Sequence, residues 1–233
     1  MRRTRQAFDE QLEVLEKRLL EMGRFVEAML EKAVRSLADQ DGKLAREVIA
    51  EDDTADAMDL NIEQQCMRLL ALQQPMSRDL RTIGTVMKVI ADVERIGDYS
   101  VDIAKTAIKL ADTHYFKPLV DIPKMTEIVR AMLRQALQAL VNHDLDLVAQ
   151  VINTDDAVDK LWYKLLEQIE DLMQKHPEFV SQGTALLLVA RYLERVADHT
   201  VNIVERVAYM ETGRLETLAK SHRPDYQAED STQ

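Results

Sequence analysis

The segment MLEKAVRSLADQDGKLAREVIAEDDTAD, which begins at Met29, returns in altered form as MLRQALQALVNHDLDLVAQVINTDDAVD at Met132. One offset of 103 carries Met29 onto Met132, Leu37 onto Leu140, Asp41 onto Asp144, Ile49 onto Ile152, Asp53 onto Asp156 and Asp56 onto Asp159. Farther along, Glu94 falls on Glu194 at an offset of 100, so the second copy has lost three residues near its second turn. A duplication of this length confines the fold to two like units, each built from whatever the shared pattern encodes.

That pattern is helical. Phe8, Leu12, Leu15, Leu19, Met22, Val26, Met29, Ala33 and Leu37 recur at spacings of three and four, the seam of an amphipathic helix. The helix is expected to stop at DQDG, with Gly42 in the left-handed cap conformation. A second helix is expected over about 43–73, broken at Pro75, with Ser77 capping a third over about 78–112. THYFKPLVDIP, with Pro118 and Pro123, reads as the connector. The second unit repeats the plan over about 124–142, 144–175 and 181–212. The expected fold is all-α: two tandem, pseudo-symmetric three-helix bundles, 1–113 and 124–213, followed by a disordered tail, 214–233.

Composition agrees, with only 6 Gly and 5 Pro in 233 residues. A formal net charge of −11 opposes direct binding to nucleic acid. The lone Cys66 excludes an internal disulfide and fits a reducing cytoplasm. The longest apolar run, ALLLVA at 185–190, is far too short to span a bilayer, and MRRTRQAFDE lacks the apolar core of a signal peptide.

Against this background the acidic residues stand out. Asp52, Asp56, Leu60 and Met67 share an expected stripe with Ala45 and Ile49; Asp155 and Asp159 share one with Val148, Ile152 and Leu166. On the third helices Glu94 and Asp98 lie among Met87, Ile90 and Val101, and Glu194 and Asp198 among Leu187, Ala190 and Val201. Each pair is expected to face inward. The midpoint between the first two pairs is Pro75 in the turn, and that between the second two lies at His176 and Pro177, so the pairs of each hairpin should share a level.

Carboxylates four apart on a helix have Cβ atoms about 5 to 6 Å apart and destabilise it when both are ionised. A neighbouring axis about 8 to 10 Å away brings the second pair within reach. Four such groups raise one another's pKa unless a cation intervenes. Oxygen ligands alone favour Mg²⁺, Mn²⁺ or iron. Asp53 and Asp156 could replace Asp52 and Asp155 as inward donors, since a three-residue spacing also faces inward; two other readings stay open, a solvated acidic face and a salt-bridge network through Arg95, Arg195, Arg78 or Arg81. His114, His143, His176 and His222 fall in turns or the tail; His199, beside Asp198, is a weaker ligand candidate because Tyr99 holds its place in the first unit. Trp162 reads as core.

ERIGDYSVDIA and ERVADHTVNIV, each on a third helix, together with LLALQQPMSRDLR before the first, closely resemble the PhoU family of phosphate-signalling regulators over nearly the whole chain. The resemblance implies two bundles whose acidic motifs, Asp52, Asp56, Glu94 and Asp98 in one and Asp155, Asp159, Glu194 and Asp198 in the other, bind multinuclear clusters of Fe, Mn, Mg or Zn. It further implies a cytoplasmic negative regulator of phosphate uptake and the phosphate-starvation response. Such a regulator acts on the ATPase subunit of a phosphate ABC transporter, which would bring it to the membrane periphery, and on a phosphate sensor histidine kinase. A homodimer is expected from the exposed seams. Ala197 replaces Gly97 and Asn202 replaces Asp102, so the second site departs from the motif, the added methyl being expected to tighten it.

Two other functions compete. A carboxylate-bridged metalloenzyme would need Glu-x-x-His ligands, but Gly97 and Ala197 stand three residues after Glu94 and Glu194, which argues against an enzyme. A metal-free helical scaffold is the third possibility.

Overall fold

The computed structural model describes residues 2–73 and 75–218. It contains α1 (Arg2–Ala38), α2 (Gly42–Gln73), α3 (Arg78–Leu110), α4 (Asp121–Asn142), α5 (Leu145–Lys175) and α6 (Val180–Thr212), with a short 3₁₀ turn at Pro177–Phe179 before α6. No strand occurs among the described residues. α1, α2 and α3 pack mutually as one bundle and α4, α5 and α6 as a second. α3 lies against α6 and α1 against α4, so the two bundles share one continuous core.

The turn between the first two helices is built identically in both copies, though not as the glycine suggested. Gln40, at φ 54°, takes the left-handed position and Gly42 simply opens α2. Asp41 must occupy the N-cap: its Oδ1 accepts from the backbone N–H groups of Lys43 and Leu44 at 2.9 and 3.0 Å. In the second copy His143, at φ 56°, takes the left-handed role, and Asp144 Oδ1 accepts from Asp146 and Leu147 at 2.9 and 3.1 Å. The side chain at this left-handed position then reaches the end of its bundle's third helix. Gln40 Nε2 donates to the carbonyls of Leu110 and Thr113, whereas His143 Nδ1 lies 2.7 Å from Glu211 Oε1. Ser77 makes no side-chain cap bond, contrary to expectation.

The connector is tied to both bundles. Tyr115 donates its hydroxyl to the carbonyl of Leu37 at 2.7 Å, adding to the long 3.4 Å bond that this carbonyl accepts from the Gln40 N–H at the end of α1. The buried Gln182 of α6 accepts from the Phe116 N–H and donates to the His114 carbonyl. Pro123, expected in the connector, instead falls in the first turn of α4, where a missing N–H costs nothing. Residues 214–218 form no regular element, but Leu218 packs on the core and its N–H meets Glu205. The rest of the expected tail, 219–233 with His222, lies outside the described residues.

At the α1–α4 seam, Gly23 admits the Leu137 side chain where a Cβ would collide with it. Beside it Arg130 is nearly buried and reaches Glu27, Glu31 and Glu127, with Arg134 also on Glu27. At the α3–α6 seam, His199 Nδ1 meets Asp92 Oδ1 at 2.8 Å and the Asn202 amide donates to the same oxygen.

Candidate metal centre

In the first copy the acidic pairs do not point into the core, whereas in the second Asp155 and Glu194 do lie on buried faces. The buried face of α2 runs through Ala45, Val48, Ala55, Ile62, Cys66 and Leu69, about one residue out of phase with the expected stripe, and leaves Leu60 and Met67 53% and 54% exposed. Asp56 therefore sits beside the buried Ala55 and is exposed, while Asp52 is half-buried. On α3 the core face is Val86, Val89, Val93, Ile96 and Gly97, with Glu94 and Asp98 at its edge. The first set of carboxylates accordingly lines a groove between two antiparallel helices, open to water.

The shared level is realised. Asp52 feels Asp98 across the hairpin, and Glu94 feels Asp56, the pairing that equal distance from the turn requires. Burial first, then Asp56 and Asp98, hold the Asp52 carboxyl above its ordinary value, with Lys105 pulling it down. Burial, then Asp98, raise Glu94 against the opposing effect of Arg95, with Asp56 and Asp59 adding to the rise. Asp59 was not among the residues singled out by pattern; it too is raised, by burial and then by Glu63 and Asp56. A half-open cavity of about 320 Å³, lined by Asp52, Arg95, Asp98, Tyr99, Asp102 and Lys105, opens over this groove.

The second groove is drier. Asp155 and Glu194 are only 2% and 8% exposed, against half-burial for Asp52 and Glu94. Burial, then Asp198, push Glu194 up to about 7, with Arg191 and Arg195 opposing and Asp159 reinforcing. The departure at Ala197 does not act here. A Cβ added to Gly97 would make ordinary contact with Val26 and Ala55, on the core side of α3, away from the carboxylates.

Arginines occupy both grooves. Arg95 Nη1 donates to Asp98 Oδ2 at 2.8 Å with its Nε 3.7 Å from Glu94, and Arg195 Nη1 donates to Asp198 Oδ2 at 2.9 Å with its Nε 3.8 Å from Glu194. Arg191 Nη1 donates to the other oxygen of Glu194, while its guanidinium lies 5.7 Å over the Trp162 ring. Trp162 is thus half-buried and in contact with the site, rather than plain core. Arg78 and Arg81 take no part: Arg78 meets Glu211 and Arg81 donates to the Met210 carbonyl. His199 is engaged with Asp92 on α3 and does not join the carboxylates of its own hairpin. Asp53 and Asp156 are exposed and replace neither Asp52 nor Asp155.

In this arrangement no group of three or more His, Cys, Asp or Glu side chains is closed around a point that would hold an ion, among the described residues. The donor chemistry nevertheless suits a hard cation, since every inward donor is a carboxylate oxygen. Glu194 Oε2 is buried and accepts no hydrogen bond. Arg195 Nε, at 3.8 Å, is too far to donate to it, and a buried oxygen left in this way is costly when ionised unless a closer cation completes it.

Taken together, the fold and its paired grooves define a class: tandem three-helix bundles carrying one carboxylate-lined hairpin each. A family model for the PhoU domain matches residues 19–107 and again 122–207, and the chain belongs to the PhoU family. It is 36% identical over 212 residues to a phosphate-specific transport system accessory protein PhoU homolog of Clostridium acetobutylicum, covering 91% of this chain and 97% of that one. A homolog of the same description from Aquifex aeolicus is also 36% identical, over 88% of this chain and 93% of its own. The crystal structure of PhoU from Pseudomonas aeruginosa superposes with a TM-score of 0.85 at 35% identity, covering 89% of this chain and all of that one. The regulatory PhoU of Streptococcus pneumoniae gives 0.85 at 33%, covering 91% and all.

Proposed function

We propose that this chain is a non-enzymatic regulator of phosphate transport. In the cytoplasm it restrains a phosphate ABC transporter, by docking on its ATPase subunit, and represses the starvation response through the sensor kinase. The observation that carries this reading is the match of both copies to the PhoU domain, over a chain whose relatives are phosphate transport accessory proteins along nearly their full length. No helix of the described residues is long and apolar enough to cross a membrane, which suits a protein that reaches a transporter from outside the bilayer. Deleting the gene should derepress phosphate-scavenging functions in phosphate-rich medium, and the tagged protein should co-purify with the transporter's ATPase subunit. Repression that survives deletion would overturn the assignment.

The reading extends to metal. Asp52, Asp56, Glu94 and Asp98 would hold cations in the first groove, and Asp155, Asp159, Glu194 and Asp198 in the second. A bound ion would supply positive charge and a fixed geometry to the hairpin, not a reaction. The buried Glu194 Oε2, which accepts no hydrogen bond, and the elevation of Asp52 and Glu94, each by burial and then by neighbouring aspartates, support this. A second reading, a metal-free scaffold, draws on the arginine bonds to Asp98 and Asp198, which already offset part of the charge. Elemental analysis of protein purified without chelator separates the two. Metal that falls away in Asp98→Ala and Asp198→Ala variants supports the first reading, and its absence from protein grown in several media leaves the scaffold.

A further inference from the structure

The two grooves are copies, and two of the places where the copies disagree lie together at the carboxylates. The offset that superposes Asp56 on Asp159 puts Asp59 where the second copy has Trp162, and the offset that superposes Glu94 on Glu194 puts Ala91 where the second copy has Arg191. These two exchanges are coupled in space. Arg191 needs Trp162, whose face carries its guanidinium while Nη1 donates to Glu194. In the first groove both members of that couple are gone, and the vacated position on α2 carries an extra carboxylate within electrostatic reach of Asp56 and Glu94.

Formal charges make the difference plain. Asp52, Asp56, Asp59, Glu94 and Asp98 with Arg95 sum to −4 in the first groove; Asp155, Asp159, Glu194 and Asp198 with Arg191 and Arg195 sum to −2 in the second. At the rim of the first cavity Lys105 and Asp102 pair with each other, while their counterparts Asn202 and Glu205 add one negative charge to the second copy, so the difference narrows to −4 against −3 and keeps its sign.

We propose that the second groove carries Arg191, clamped on Trp162, as a built-in counter-ion, so that the first groove is the stronger metal site and the identity of residues 59, 91, 162 and 191 sets the inequality. This rests on the metal reading above. Arg191 holds Glu194 through one oxygen and so withdraws it from full use as a ligand; its positive charge repels an incoming cation. A first groove with neither handicap and one more anion binds a divalent ion roughly tenfold or more tightly.

The test uses the full chain and Mn²⁺ as probe, followed by titration calorimetry and electron paramagnetic resonance. E194Q/D198N leaves only the first groove and E94Q/D98N only the second. The first variant should bind Mn²⁺ at least about tenfold more tightly than the other. In the E94Q/D98N background, R191M, which keeps an apolar stem on Trp162, should tighten binding, and in the E194Q/D198N background A91R should weaken it. Circular dichroism melts confirm that each variant is folded; any that is not is replaced by R191Q or A91K. Equal affinities in the two single-groove chains, or an R191M or R191Q change without effect, would overturn this inference and leave the metal reading intact. No Mn²⁺ bound by the folded parent chain would remove both.

Discussion

At the scale of single residues, the carboxylates compete for three kinds of positive partner: a guanidinium, a proton or a metal ion. Glu194 shows the competition best. Its folded pKa of about 7 stands above the ordinary 4.5, chiefly because it is buried and next to Asp198. The folded state therefore holds this proton more tightly than the unfolded chain. The resulting stability is fully present below pH 4.5 and is lost as pH rises through about 7. For metal-free protein this loss is on the order of 3 kcal/mol between those limits. Glu194→Gln should flatten that slope, raising the urea midpoint of the metal-free chain at pH 8 while changing it little at pH 4.5. A variant that loses stability equally at both pH values would contradict the account. The same scale shows what the sequence concealed. The eight paired carboxylates were legible because identical spacing recurred at two offsets. Asp59 and Arg191 were not, because attention to where the copies agree passes over positions where they differ. The signal was present in the alignment as Asp opposite Trp and Ala opposite Arg.

At the scale of the element, all six helices were readable from apolar periodicity and from turn residues. Their rotation was less so. On α2 the apolar residues Ala45, Ile49, Leu60 and Met67 drew an apparent stripe through Asp52 and Asp56, yet the core takes Val48, Ala55, Ile62 and Cys66. A helix carrying small and long apolar residues on adjacent faces offers two phases of similar amplitude, and packing against α1 and α3 decides between them. Capping was misread for a related reason. Gly42 invites a left-handed turn by its own freedom, but the repeated aspartate at 41 and 144 is what both turns are built on, and Gln40 and His143 accept the left-handed backbone to place it. Asp144→Ala should cost about 1 kcal/mol, measured as a lower urea midpoint with unchanged slope. Asp41→Ala should behave alike; a neutral result at both would show that the caps are idle.

At the scale of the whole molecule, tandem bundles were implied by duplication, but how the two join was not. α3 against α6 and α1 against α4 are contacts between copies, which no periodicity within one copy encodes. They are recognisable only afterwards, in the small residue Gly23 beneath Leu137 and in Arg130, which is charged yet nearly buried among three glutamates. Such a seam, apolar in its core and charged at its rim, leaves the bundles little freedom to pivot as separate bodies.

The stretch that runs from α3 to α4 is anchored through side chains: Gln40 on the Thr113 carbonyl, the Tyr115 hydroxyl on Leu37, the Gln182 amide on residues 114 and 116, and Lys117 on Gln168. Its peptide bonds are thus spectators to cohesion. Two polypeptides made separately and parted at Lys117 should find each other and elute from gel filtration as one particle the size of the parent. Fragments that stay apart would mean that the seam needs the tether. If they do join, duplication will have produced a partner interface and then enclosed it within one chain.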